Sequence, residues 1–183
     1  MDKLMEFLPF MLQGAVVTIE LFALTIVISL PLGLPIALGS NSRIKPLSIM
    51  CKIYVWIFRG TPLLLQLFFF YFFFPLVLNI QMNAFVTVVL TYVLNYAAYF
   101  AEIYRGGINS IDRGQYEAAH ALGLSRRQTM GDIILPQTMK AILPPVVNET
   151  ITLVKDTALA SSLPVIELMK ATNSAVNRMT DMT

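Results

Sequence analysis

The sequence is short of charge and nearly empty of residues that do chemistry. Only 13% of its 183 residues are Asp, Glu, Lys or Arg, against roughly 25% in soluble domains. The net charge of +2 is too small to suggest a nucleic-acid partner. Cys51 is the single cysteine, which excludes an intrachain disulfide and a Cys-rich metal site. His120 is the single histidine, so a paired-His zinc motif is excluded as well. None of the nine glycines precedes a lysine. The chain therefore lacks the Gly-Lys-Ser/Thr phosphate loop and cannot hydrolyse ATP by that route. It is not read as an enzyme, and no cofactor or metal is expected on it.

Apolar residues are what it has in abundance: 56% of the chain, with a mean hydropathy of +0.68. A bilayer core about 30 Å thick takes about 20 apolar residues in a helix. Residues 14–38 fit one span, with Glu20 the only charge in it. No charge occurs between Arg59 and Glu102. One helix of that length would be roughly 60 Å long, twice the core. It must turn back, and Asn79-Ile80-Gln81-Met82-Asn83 is the polar interruption. That predicts spans over 61–78 and 84–101. A fourth, less apolar, is predicted over 143–163, with Pro144-Pro145 in its first turn, where missing N–H groups cost little. The expected fold is an all-α integral membrane protein with about four transmembrane helices, forming one domain over 1–183. The first apolar run is too long for a signal peptide, and no basic residue directly precedes it, so it reads as a retained span.

Orientation follows from Lys and Arg. The 39–59 connection carries Arg43, Lys45, Lys52 and Arg59 and no acid. The 102–140 connection carries Arg105, Arg113, Arg126, Arg127 and Lys140. The N-terminus has Lys3 and the C-terminal tail has Lys170 and Arg178. Both basic connections are therefore assigned to the cytoplasm, with the N-terminus outside.

Residues 112–136 read as two short helices. Asp112 precedes Gln115 by three, and Ser125 precedes Gln128 by three; both are capping-box spacings. Gly123 lies between them, where a chain leaves a helix in the left-handed conformation. Pro136 is expected to end or kink the second helix. Small Ala118 and Ala119 allow close approach of a partner, and Glu117 is placed in the first helical turn, where the dipole favours an acid.

The spelling Glu117-Ala118-Ala119, three residues, Gly123, nine residues, Ile133-x-Leu135-Pro136 resembles the cytoplasmic loop by which membrane subunits of bacterial binding-protein-dependent ABC importers dock onto their ATPase. Further stretches narrow the resemblance to permeases for polar amino acids: Arg59-Gly60-Thr61-Pro62, Ala97-Ala98-Tyr99 leading to Glu102-Ile103-Tyr104-Arg105-Gly106-Gly107, Arg113-Gly114-Gln115, and Lys155-Asp156-Thr157. The resemblance implies an alternating-access importer in the bacterial cytoplasmic membrane. Two permease subunits, identical or related, would form one pathway. Two copies of a cytoplasmic ATPase would hold ATP and Mg, and an extracytoplasmic binding protein would deliver the solute. Glu117 to Gly123 would be the coupling helix, between the third and fourth spans, with Ile133, Leu135 and Pro136 completing the docking element.

Polar residues inside spans are costly and face a bundle interior or a wet cavity. The fourth span carries Asn148, Glu149, Thr152, Lys155 and Asp156, and Glu149, Thr152 and Asp156 share a helical face. Two readings stand: a pathway-lining stripe meeting a zwitterionic or charged solute, or Lys155 and Asp156 at the outer membrane end, paired with each other or with the companion subunit. Asn95, mid-span in the third helix, is a further pathway candidate and a candidate interhelical hydrogen bond. Glu102 and Arg105 are expected to form a structural pair, and Phe68–Phe70 with Phe72–Phe74 to be lipid-facing or packed bulk.

Two features depart from the resemblance. Ala158-Leu159-Ala160-Ser161-Ser162 replaces the usual Ser-Leu-Val continuation. The family usually has a fifth hydrophobic helix after the stretch matching Glu167-Leu168-Met169, and residues 164–183 hold no run long enough to span. The sequence is therefore expected to be incomplete relative to its family. The alternative function is a non-transporting membrane scaffold that binds a cytoplasmic partner through 112–136.

Overall fold

The computed structural model describes residues 2–181, and the side chains of Lys3 and Arg178 lie outside what it describes. All regular elements among the described residues are helical. They are α1 (Asp2–Ser40), α2 (Lys45–Gly60), α3 (Leu63–Val77), α4 (Ala84–Asn109), α5 (Arg113–Ala121), α6 (Arg126–Gln128), a π-helical segment (Thr129–Ile134), α7 (Leu135–Asp156), a 3-10 segment (Thr157–Ser162) and α8 (Leu168–Asp181). The all-α expectation holds.

By length and composition, Leu8–Ser40 and Ala84–Asn109 can each cross a membrane. The pair α2 and α3, broken at Thr61-Pro62, qualifies when taken together. Pro62 is the N-cap of α3 with extended backbone (φ −62°, ψ 134°), the conformation that a proline at a helix start allows. The predicted turn at 79–83 is present. Asn79 takes a left-handed φ of 55°, which Asn tolerates, and Asn83 Oδ1 accepts the Phe85 amide at 2.8 Å to open α4.

Three predicted boundaries are corrected. The first helix begins at Asp2, not at 14. Gly14 is a point of close approach: a Cβ there would lie 2.8 Å from Ala171 Cβ and 3.0 Å from the Glu167 carbonyl oxygen. The third span runs on past 101 to Asn109, because Glu102 and Arg105 pair along the helix instead of ending it. The fourth helix starts at Leu135, so Pro144 and Pro145 lie inside it, exposed, and not in a first turn. Each leaves a carbonyl one turn earlier without its helical N–H.

The chain forms two compact units. The first comprises 1–28, 61–95 and 151–183. Leu21, Leu67, Val88, Tyr92 and Leu153 are fully buried in it. Asn95 Nδ2 donates to Gln66 Oε1 at 2.9 Å, and Gln66 Nε2 donates to Thr61 Oγ1 at 2.7 Å. Glu167, 1% exposed, accepts the amides of Met169 and Lys170 at 2.7 Å each and so caps α8.

The second unit comprises 29–60 and 96–150. Its centre is a close contact of small residues. Gly33 and Ala37 are one helical turn apart on α1, as are Ala97 and Ala101 on α4. A Cβ at Gly33 would lie 2.9 Å from Phe100 Cβ and 3.0 Å from the Ala101 amide nitrogen. Ala37, Ala98, Ala101 and Val55 form the buried cluster beside it. This is the small-xxx-small packing that membrane helices use to bring backbones together. The Tyr104 hydroxyl donates to the Leu30 carbonyl at 3.2 Å, tying the same two helices.

Candidate functional site

Helix α5 is defined at both ends by its own sequence. At its start the Asp112 side chain accepts the Gly114 amide at 2.6 Å. The full capping box predicted with Gln115 does not form; Gln115 bonds through its amide to the Asp112 backbone carbonyl. At its end Gly123 has φ +73°. The Gly123 amide donates to His120 and the Leu124 amide to Ala119, each at 3.0 Å. That pair of bonds is a Schellman motif, which needs a left-handed residue where Gly123 stands. The glycine in the spelled pattern therefore has a backbone reason.

The second predicted helix is only partly separate. Ser125 and Gln128 do form the capping box. From there the chain continues through the π-helical segment 129–134 directly into α7. Pro136 does not end a helix; it sits in the first turn of α7. The Leu135 amide reaches back five residues to Met130. A π-type widening ahead of a proline is one way a helix absorbs the lost N–H and the ring's bulk. Gln137 Nε2 donates to Gln115 Oε1 at 3.1 Å and so links this run to α5.

Glu117, Ala118, Gly123, Leu135 and Pro136 are exposed, and Ile133 is half-buried. Glu117 lies in the second turn of α5, since no acid occupies the first. It has no dipole role there, and its exposed carboxylate is available to a partner. Ala119 is fully buried, so its small size serves packing within the loop and not a partner's approach. Sequence reasoning passed over Leu122, which is 78% exposed at the end of α5. It follows Ala118 by four and shares its face. An apolar residue beside the exposed alanine, just before the glycine, was the available signal.

The polar residues of α7 sit elsewhere. Glu149 and Asp156 are half-buried, whereas Thr152 and Lys155 are exposed. The spacing of Glu149, Thr152 and Asp156 is preserved by the unbroken helix through Asp156. The Tyr92 hydroxyl donates to the Asp156 backbone carbonyl. Asn95 is 4% exposed and is engaged with Gln66. Glu102 and Arg105 pair as expected, with Arg105 Nε 2.9 Å from the carboxylate. Among the described residues no group of His, Cys, Asp and Glu could hold a metal ion.

A family model for the binding-protein-dependent transport system inner membrane component matches residues 29–177. The putative glutamine transport system permease protein GlnP of Rickettsia prowazekii is 38% identical over 161 residues, which is 88% of this chain and 74% of that one. The arginine transport system permease protein ArtQ of Bacillus subtilis is 40% identical over 163 residues, 89% of this chain and 74% of that one. A crystal structure of an amino acid ABC transporter with histidines aligns with a TM-score of 0.88 at 34% identity, covering 97% of this chain and 82% of that chain. The spelling of residues 117–136, the helical fold and these matches agree: the chain belongs to the family of binding-protein-dependent transport system inner membrane components.

Proposed function

We propose that this chain is the permease subunit of an ATP-driven importer for a polar amino acid, and that α5 is its coupling helix. Helix α5 is the observation that carries the reading. It is nine residues long, capped by Asp112 and closed by the Gly123 Schellman motif. It presents Glu117, Ala118 and Leu122 outward. A short element locked at both ends can transmit a push, whereas a floppy loop would absorb it. The partner is a pair of cytoplasmic ATPases that carry ATP and Mg. A second permease subunit completes the pathway, and an extracytoplasmic binding protein delivers the solute. The relatives named for glutamine and arginine transport support an amino acid as that solute. The chain lies in the bacterial inner membrane as one domain with about four spans, its N-terminus outside and 112–136 in the cytoplasm. Asn95, Glu149, Thr152, Lys155 and Asp156 are the pathway candidates.

Reconstitution with the ATPase tests this, with hydrolysis measured with and without solute-loaded binding protein across a panel of polar amino acids. Stimulation by one solute class is expected. Gly123→Pro, which fixes φ near −65° and deletes the amide that bonds His120, should abolish stimulation while leaving the membrane helices folded. Unchanged uptake in that variant would remove the coupling-helix assignment. A bound ATPase whose activity never responds to solute would favour the scaffold function instead.

A further inference from the structure

Three cations and one carboxylate meet in a cleft that neither the docking helix nor the pathway residues use. It is open to the surface, holds about 520 Å³ and is lined by Lys52, Trp56 and Arg59 of α2, Glu102 and Arg105 of α4, and Ser40 at the end of α1. Glu102 accepts from Arg105 through Nε and Nη2. Arg59 Nη1 lies 3.8 Å from the same carboxylate, and its guanidinium carbon sits 5.2 Å from the Tyr99 ring centroid. Lys52 is exposed at the rim and makes no ion pair among the described residues. One acid cannot balance three cations. A guanidinium has five donors, and Glu102 takes only two of those on Arg105. Its main effect is to hold the arginines in place.

Beside these charges α2 exposes a run of large apolar side chains: Met50 (69%), Ile53 (50%) and Trp56 (76%). An inorganic anion would satisfy the cations alone, and any lipid would cover that face alone. An anion carrying hydrocarbon chains satisfies both. Tryptophan prefers the membrane–water boundary, and basic pockets beside membrane helices recognise anionic head groups.

We propose that this cleft binds the phosphate of an anionic phospholipid, with Lys52, Arg59 and Arg105 as donors and the exposed α2 face against its acyl chains. Trp56 is the only tryptophan in the chain, so intrinsic fluorescence reports from the site itself. The full chain is placed in phosphatidylcholine nanodiscs containing graded amounts of brominated phosphatidylglycerol or, separately, brominated phosphatidylcholine. Bromine quenches tryptophan on contact. The anionic lipid should reach half-maximal quenching at a several-fold lower mole fraction than the zwitterionic one. Lys52→Gln should shift that midpoint by about fivefold, the equivalent of roughly 1 kcal/mol per basic residue near an anionic leaflet. Arg59→Gln should shift it likewise, with circular dichroism checking that variant's fold; among the described residues Lys52 has no ion pair to lose. Equal quenching by the two lipids, or none by either, overturns the proposal. Displacement of the anionic lipid by millimolar inorganic phosphate would also overturn it, assigning the cleft to a free anion. The assay needs no ATPase and no solute, so its outcome is separate from that of the transport experiment.

Discussion

Helices α1 and α4 are both apolar enough to cross a membrane, yet they occupy opposite environments. In its most apolar stretch α1 is 28% buried within the protein, and α4 is 61% buried. The more apolar helix is the more exposed one. In water this would be an inversion. In a bilayer it is the expected order, because lipid is as apolar as Leu and burial is driven by packing and hydrogen bonding instead. The residues make the difference visible. α1 turns Ile19, Val27 and Leu34 outward. α4 buries Thr87, Thr91, Tyr92, Asn95 and Tyr96 together with Ala97, Ala98 and Ala101. Small and polar side chains mark the central helix, and branched aliphatic ones mark the peripheral helix.

The most damaging test of this contrast is at Gly33, where the two helices touch. Gly33→Leu would drive a side chain into Phe100 Cβ and the Ala101 backbone, which cannot rotate away. Overpacking of a tight contact typically costs about 1–3 kcal/mol, occasionally more. A contact made through backbone belongs at the upper end. The expected result is a sharp loss of monodisperse protein in detergent, or a melting temperature lowered by many degrees. A Gly33→Leu variant that melts like the parent would show that α1 and α4 do not depend on this approach.

Asn95 gives a smaller effect and separates two roles. Asn95→Leu removes the 2.9 Å bond to Gln66, worth about 1 kcal/mol between membrane helices. A modest fall in melting temperature is expected, with the solute preference of uptake unchanged. The double variant with Gln66→Leu should cost less than the two single changes added together, since the lost bond is shared. Uptake that changes its preference while stability holds would instead make Asn95 a pathway residue.

The same contrast explains what the sequence made legible. Hydropathy located α3, α4 and the turn at Asn79–Asn83, because polar residues there mark where the chain leaves lipid. It misplaced the start of α1, the end of α4 and the start of α7. Helix ends are set by caps and by neighbours, and Pro144-Pro145 read locally as a first turn although they lie inside α7. Gly14 is a packing point against Glu167 and Ala171. The 112–136 loop was more legible, since Ser125 and Gly123 act through local hydrogen bonds that spacing encodes, and Asp112 caps α5 although Gln115 does not complete the box. The π-helical run before Pro136 was not legible: the same proline could have ended the helix, and continuation depends on the Met130–Leu135 bond. The burial of Ala119 beside the exposure of Ala118 likewise depends on which face α5 turns inward.

The smallest expected effect is on the outer face of α1, and it bears most directly on what surrounds that helix. Val27 is 69% exposed. If lipid or detergent covers it, Val27→Ala exchanges one apolar contact for another, and the change in stability should stay within about 0.5 kcal/mol, as for surface sites generally. The same substitution at a packed protein–protein contact would cost more, because a cavity would remain where lipid cannot flow in. Melting curves of Val27→Ala, compared between detergent-solubilised single chain and the assembled permease, distinguish these cases. No shift in either sample places α1 at the lipid boundary. A shift confined to the assembled sample would mean that the exposed face of α1 is where the second permease subunit packs. The low burial of α1 would then reflect a missing neighbour and not the bilayer, and the contrast with α4 would hold only for the isolated chain.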